Sequence, residues 1–223
     1  MTMWNVGIIG SGRVGGTVAR LAIAGGCSVV VSNSRGPETL TELVADLGPR
    51  ARAATPAEAA EAGDLVVISV PVRAYREVPV EPLKGRTVLD TINYDPRLHG
   101  HIPELDAASI TTSEMVQQHL PASHVVKVFN NIFFQTLRAL ACPSEAADRT
   151  ALPIAGDAPD VKAEAARFVD AIGFDTVDGG PLAEGWRWQP GTPAHAVYAG
   201  ETIQVAIPGN AEKVRNALAA ATR

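Results

Sequence analysis

The chain is poor in cysteine, in aromatic residues and in long apolar runs, and each shortage closes off a class of function. Its 223 residues hold two cysteines, Cys27 and Cys142, which is no disulfide framework. Cys27 stands just before an apolar run and Cys142 just before a proline, so both read as buried or half-buried thiols rather than a redox pair. Five histidines form no metal-ligand spacing; His99 and His101 flank Gly100 in a polar stretch, and no metal site is expected there. No apolar stretch approaches the roughly 18 residues of a membrane span. Met1-Thr2-Met3-Trp4 leads directly into an apolar run, without the leader of a secreted protein. Basic residues do not dominate either: 19 Lys and Arg stand against 24 Asp and Glu, for a net charge of −5. That balance argues against nucleic acid or an anionic membrane as partner. A reduced, cytoplasmic protein is expected. No internal repeat or low-complexity tract is present.

What is there begins at once. The run Val6-Gly7-Ile8-Ile9 is followed by Gly10-Ser11-Gly12-Arg13-Val14-Gly15, and an apolar helix pattern follows from about Val14 to Ala24. In this order the glycines have separate tasks: Gly10 permits the turn out of a strand, Gly12 lets the backbone approach a pyrophosphate, and Gly15 lets the helix pack on the strand. The helix N-terminus then faces the phosphates. The bland alternative is a glycine-rich structural turn, but a second strand, Ser28–Ser32, follows at the right distance, and the reading is a dinucleotide site.

A further absence selects the dinucleotide. From Ser28 to Pro37 there is no Asp or Glu, the residue that usually takes the ribose 2′-hydroxyl of NAD. The strand ends in Asn33-Ser34-Arg35 instead, and a guanidinium with two polar neighbours suits a 2′-phosphate. NADP(H) is therefore expected rather than NAD, the alternative being that Arg35 is a solvated loop residue.

Hydrophobic content of 46% supports a real core, and β-like and helix-like segments alternate to about residue 182. Pro37–Leu47 reads as a helix with Leu40, Leu43, Val44 and Leu47 in a stripe. Arg52–Ala54 reads as a short strand, and Pro56–Ala62 as an alanine-rich helix capped by Thr55 and stopped by Gly63. Leu65–Val70 reads as an internal parallel strand and Thr87–Asp90 as the next. Asn93–Ala108 is polar and without periodicity. Ser113–Leu120 is a helix, Val125–Phe129 a strand and Leu152–Gly156 a short strand. Asp157 and Asp160 are the capping candidates for a helix running to Ile172, and Phe174–Val177 is the last strand. The fold class is α/β: a Rossmann-like, doubly wound, mostly parallel sheet with a small C-terminal extension. Residues 1–182 are expected to form the NADP-binding domain with its sheet extension. Residues 183–223 are expected to complete a second-ligand pocket or an oligomer contact. Their tail is irregular to Gly209, with a short helix over Asn210–Ala221.

Ligands of such sheets lie outside the carboxyl ends of the strands. This singles out Val70-Pro71-Val72 and Thr91-Ile92-Asn93 on the cofactor side, Asn130-Asn131-Ile132-Phe133, and Gly179-Gly180-Pro181-Leu182. Asn130 and Asn131 either donate amide hydrogen bonds to a carbonyl-rich ring or form an Asx turn. Trp186 and Trp188 either stack on a flat ligand or pack the C-terminal segment onto the core or a partner chain.

The fingerprint, Asn33-Ser34-Arg35, Val70-Pro71 and Gly180-Pro181-Leu182 occur in the same order in NADPH-dependent deazaflavin-coenzyme reductases, and the chain resembles that family from about Val6 to Leu182. The resemblance implies hydride exchange between NADP(H) and an 8-hydroxy-5-deazaflavin, factor 420, stacked on the nicotinamide. It implies that Ser11, Arg13 and Val14 line the phosphates and that Ser34 and Arg35 hold the 2′-phosphate. It places Pro71 and Val72 near the nicotinamide, and Asn130, Asn131, Ile132, Pro181 and Leu182 near the deazaflavin.

Transfer between two stacked rings needs positioning to roughly 3–3.5 Å more than acid–base chemistry. A rival is an NADPH-dependent reductase of a small imine, enamine or carbonyl compound, which needs a proton donor; Tyr94, Asp95 and His99 are its candidates. A rival of another class is a non-catalytic NADPH-binding redox sensor or scaffold. The expected partner is a small redox substrate, and the expected assembly a homodimer through an exposed tryptophan-rich segment.

Overall fold

A computed structural model describes residues 4–146, 148–202 and 205–223. Residues 1–3, on which the leader reading rests, and 203–204 of the tail lie outside it. Six parallel strands form the main sheet: β1 (Asn5–Ile9), β2 (Ser28–Ser32), β3 (Ala51–Ala53), β4 (Leu65–Ile68), β5 (Thr87–Asp90) and β6 (His124–Lys127). Their order is β3-β2-β1-β4-β5-β6. The winding therefore reverses between β1 and β4, and it is outside that switch point that doubly wound sheets bind ligands. The expected Rossmann-like α/β fold is what is found.

The pleat sorts the core into two layers. Val6, Ile8, Val29, Val31, Leu65, Val67 and Leu89 join one buried cluster, while Ile9, Val66, Ile68, Val88 and Val125 join the other. β4 is buried along its whole length, as its unbroken apolar sequence requires. Helix α1 (Arg13–Ala24) covers the first face. Helix α3 (Pro56–Ala62), with the capping box Thr55/Glu58, lies so close to β1 that a Cβ on Gly7 would come within 2.2 Å of the Ala59 carbonyl oxygen. Only a residue without a side chain at position 7 permits that approach.

Several expectations are corrected. Pro37–Leu47 is not one helix but a 3-10 turn, Pro37–Leu40, followed by α2 (Thr41–Leu47). Gly36 at φ 103° and Pro37 start a tight turn, and the α-helix begins only after Leu40 leaves helical geometry. The polar stretch after Asn93 contains two short helices, α4 (Pro96–His99) and α5 (Pro103–Asp106), ahead of α6 (Thr112–His119). Helix α7 (Phe134–Leu140) was not legible in the sequence.

Strands β7 (Ala151–Ile154) and β8 (Asp175–Asp178) form a separate parallel pair joined to β6 by one antiparallel bridge, Lys127 to Ala155. Helix α8 (Pro159–Ala171) has Ala158 as N-cap and no side-chain cap. Asp157 is not its cap; that carboxylate accepts the Leu182 N–H at 2.8 Å. Helix α9 (Ala211–Ala219), capped by Asn210, buries Val214 and Leu218 in the first cluster. The tryptophan segment is not exposed: Trp188 is fully buried and Trp186 half-buried. Of the two alternatives for Trp188, packing onto the core is the one the structure shows. No helix among the described residues is long and apolar enough to cross a membrane.

Candidate functional site

Two of the three loop glycines are fixed by backbone contacts. Gly10 sits at φ 97°, and a Cβ there would fall 2.2 Å from the Ser69 carbonyl oxygen. A Cβ on Gly15 would fall 2.0 Å from the Gly10 carbonyl oxygen, so this glycine sets the helix–strand distance. Around Gly12 a Cβ would meet nothing within 4 Å. Gly12 is also the N-cap of α1, with no side-chain cap and no acid in the first turn. The free N–H groups of that turn are left for an anion.

A groove of about 440 Å³ runs from Gly10, Ser11 and Gly12 past Asn33 and Ser34 to Ser69, Val70 and Pro71. Ser11 ties the loop to the second strand, its hydroxyl donating to the Ser32 carbonyl at 2.6 Å. Asn33 shapes the turn: its amide donates to Thr39 Oγ1 at 2.8 Å, and its Oδ1 accepts the Arg35 N–H at 2.9 Å. Ser34, which lines the groove, and Arg35, which follows it in the chain, are both exposed. Val72 does not reach the groove; it is buried in the second cluster.

A second cavity has a volume of about 260 Å³. It gathers Arg13 and Val14 from the start of α1, Thr91 and Asn93 after β5, and Asn130, Asn131, Ile132, Phe133 and Phe134 after β6. The Arg13 guanidinium lies 5.6 Å from the centre of the Phe134 ring. Phe129 precedes the asparagines at φ 65°, a strained position for an aromatic residue, and is fully buried. Ile92 stays out, buried in the second cluster with Leu182; Pro181 and Leu182 line neither cavity.

Tyr94, Asp95 and His99 are not brought to this cavity; they build their own loop. The Tyr94 hydroxyl bonds the Asp106 carboxylate and takes the Ile102 N–H at 3.1 Å. Asp95 caps α4 and pairs with Arg97 at 2.7 Å, and the hydrogen bonds from Arg97 hold its carboxyl down at about 2. The His99 ring accepts the Asp95 N–H at 3.0 Å.

Two features of the site escaped the sequence reading. One is a buried ion pair, Lys127 with Asp90, 3.2 Å apart and both wholly shielded from solvent. Lys127 Nζ also reaches the Ile92 carbonyl and Thr112 Oγ1, while Asp90 takes Ser113 Oγ at 2.6 Å and the Ile92 N–H at 2.9 Å. Burial pushes the ammonium pKa down and Asp90 opposes it. A lysine inside Val125-Val126-Lys127-Val128-Phe129 was the available signal. The other is His195, from the irregular tail, which lines the second cavity with Tyr198. Its Nδ1 is 3.3 Å from the Trp188 carbonyl oxygen, an acceptor only, so Nδ1 carries the hydrogen and Nε2 is left as an acceptor.

Burial lowers the His195 pKa below its ordinary value. The unfolded chain then binds a proton before the folded one does. Stability from this group is complete above about pH 6.5 and is lost as pH falls below that value. Urea denaturation at pH 7.5 and 5.5 should show a loss of up to about 1.4 kcal/mol that His195→Gln removes. An identical pH response in the variant would assign the loss elsewhere.

With this geometry in place, comparison with known proteins becomes informative. Residues 5–94 match the family described as NADP oxidoreductase, coenzyme F420-dependent. The match bears out the expected resemblance and the expected class, an NADP-dependent oxidoreductase. It spans β1 to β5 and the groove, and ends before Asn130. No curated protein matches the chain by sequence. Among solved structures, a hypothetical protein from Sinorhizobium meliloti is 25% identical, with a TM-score of 0.75 over 94% of this chain and 97% of that one. A protein from Arthrobacter sp. FB24, described as an F420-dependent NADP-reductase, is 24% identical, with a TM-score of 0.66 over 80% and 85%. A pyrroline-5-carboxylate reductase from Coxiella burnetii shares the fold at 17% identity and a TM-score of 0.60, over 89% of this chain and 64% of its own length.

Proposed function

We propose that this oxidoreductase exchanges a hydride between NADP(H) and a deazaflavin coenzyme, factor 420. The observation that carries the reading is the make-up of the second cavity. It borders the glycine loop, has Phe133 and Phe134 in its wall, and has no carboxylate, lysine or cysteine among its lining residues. Its Tyr198 hydroxyl is engaged by the Ala151 carbonyl, and burial lowers the pKa of its histidine. Such a pocket suits transfer between two rings, which asks for alignment and exclusion of water. Reduction of an imine or carbonyl compound asks for a proton donor, and this wall offers a poor one.

NADP(H) supplies the hydride or receives it. The chain's part is to hold it: the α1 N-terminus and Gly12 face the pyrophosphate, Ser34 and Arg35 the 2′-phosphate, and Val70 and Pro71 the groove beyond. Thr91, Asn93 and the β6 loop then fix the depth of the second cavity.

Anaerobic stopped-flow mixing with NADPH and oxidised deazaflavin coenzyme tests the reading. Stoichiometric loss of the deazaflavin band is expected. Arg35→Glu should weaken NADPH binding by about 3 kcal/mol, roughly a hundredfold, by removing charge-assisted bonds to the phosphate. NADPH binding without deazaflavin reduction would reject the proposal; oxidation by small imines or carbonyl compounds would then point to the rival reductase, and no oxidation by any acceptor to a sensor.

A further inference from the structure

A further cavity, of about 640 Å³, is walled by helices α1 and α7. Arg13, Thr17 and Arg20 line it from α1, and Phe134, Gln135 and Arg138 from α7. Residues 13, 17 and 20 are four and three apart, so they share one face of α1, and the two arginines stand roughly 10 Å apart along its axis. Arg138 follows Phe134 by about one turn of α7. The volume is that of a small-molecule pocket.

Three guanidiniums line this one volume, and no carboxylate does. Neither α1 nor α7 contains an Asp or a Glu. Arg20 meets Asp46 at 3.4 Å, in an exposed and therefore weak pair. Among the described residues Arg13 and Arg138 have no ion-pair partner. In a chain of net charge −5 this is a local excess of positive charge, and like charges gathered in a cleft attract an anion. Guanidinium forks suit phosphate and carboxylate groups.

The neighbouring volumes indicate which anion. The cavity shares Gly12 alone with the cofactor groove, but it shares both Arg13 and Phe134 with the second cavity. The Arg13 guanidinium stands over the Phe134 ring at that junction. We propose that this cavity is the subsite for an acidic tail on the second substrate. The ring of that substrate fills the second cavity, and its phosphate or carboxylate groups lie along Arg13, Arg20 and Arg138. The proposal rests on the second cavity holding the redox partner, and not on that partner being a deazaflavin. The other source of such groups is the dinucleotide itself, whose pyrophosphate comes up to Gly12.

Calorimetry on the whole chain, with NADP saturating, separates the sources. The probes are inorganic tripolyphosphate, 5-deazariboflavin and 5-deazariboflavin 5′-phosphate. Tripolyphosphate should bind one to one, and Arg20→Glu and Arg138→Glu should each weaken it at least about tenfold. The affinity of both variants for NADP should stay within about twofold of the parent, and their melting temperatures report folding separately. The 5′-phosphate should bind at least about tenfold more tightly than the neutral deazaflavin, and Arg138→Glu should remove that advantage. Absence of saturable tripolyphosphate binding, or binding that neither variant weakens, overturns the proposal. So does a tenfold loss of NADP affinity in Arg138→Glu, which would give the cavity to the dinucleotide, and so does equal binding of the two deazaflavins. Failure of both deazaflavins to bind overturns the deazaflavin reading alone, because the tripolyphosphate arm still decides the subsite.

Discussion

Lys127→Met is expected to lower the stability of the protein by about 3–5 kcal/mol, the cost of leaving one member of a buried ion pair without the other. Asp90 would keep only the Ser113 hydroxyl and the Ile92 N–H as partners for a carboxylate cut off from water. The Ile92 carbonyl and Thr112 Oγ1 would lose the ammonium that bridges them. Methionine fills much the same volume, so the loss is electrostatic and not a cavity. Urea denaturation of Lys127→Met, Asp90→Asn and the double variant measures it. The double variant should recover much of the stability, since an uncharged pair needs no desolvation. A single-variant loss below about 1 kcal/mol would mean that the pair is hydrated or relaxed in solution. The pair also holds the turn after β5, so Thr91 and Asn93, which border the second cavity, depend on it. NADPH affinity measured on the double variant would tell whether that turn needs the charges or only the packing.

How much of this was legible in the sequence follows from which forces are local. Thr55 and Glu58 sit three apart and form a capping box over the helix they predict, because capping is decided within one turn. The runs Val29–Val31 and Leu65–Ile68 became buried strands because they are short, continuous and mostly β-branched. The glycine loop was readable because Gly10 and Gly15 each answer to a backbone contact, while Gly12 borders open space. The second cavity was readable only where it follows the strand ends, at Thr91, Asn93 and Asn130–Phe133, and not in its C-terminal wall. His195 stands in a stretch without periodicity and reaches the pocket only because Trp188, Ala194 and Tyr198 are buried around it. The side-chain partners of Asn130 and Asn131 were out of reach for a related reason. Their residue type announces both a donor and an acceptor, and only their distant partners, Trp188 and Ala194, decide which half is left over. Sequence proximity makes Asp157 a candidate helix cap, but a contact 25 positions away, with Leu182, takes its carboxylate instead.

The same distinction between local and distant contacts predicts opposite phenotypes for two glycines three positions apart. Gly15→Ala would place a methyl 2.0 Å from the Gly10 carbonyl oxygen and 3.2 Å from the Ser69 Cβ. Backbone stands on the near side and cannot swing away as a side chain would. Helix α1 must lift from β1, and the expected cost is about 3 kcal/mol or more, at the upper end of overpacking. Gly12→Ala meets nothing within 4 Å, and its φ of −73° suits any residue. Its stability should fall by less than about 1 kcal/mol, alanine being the poorer helix cap. The methyl would instead occupy the space through which a pyrophosphate approaches the α1 N-terminus, so the NADPH dissociation constant should rise at least about tenfold. Thermal melting and NADPH titration of the two variants decide the matter together. Unchanged NADPH affinity in Gly12→Ala would place the pyrophosphate away from this loop. Unchanged melting in Gly15→Ala would mean that the helix and strand have room to part, and that the 2.0 Å approach is not what sets their spacing.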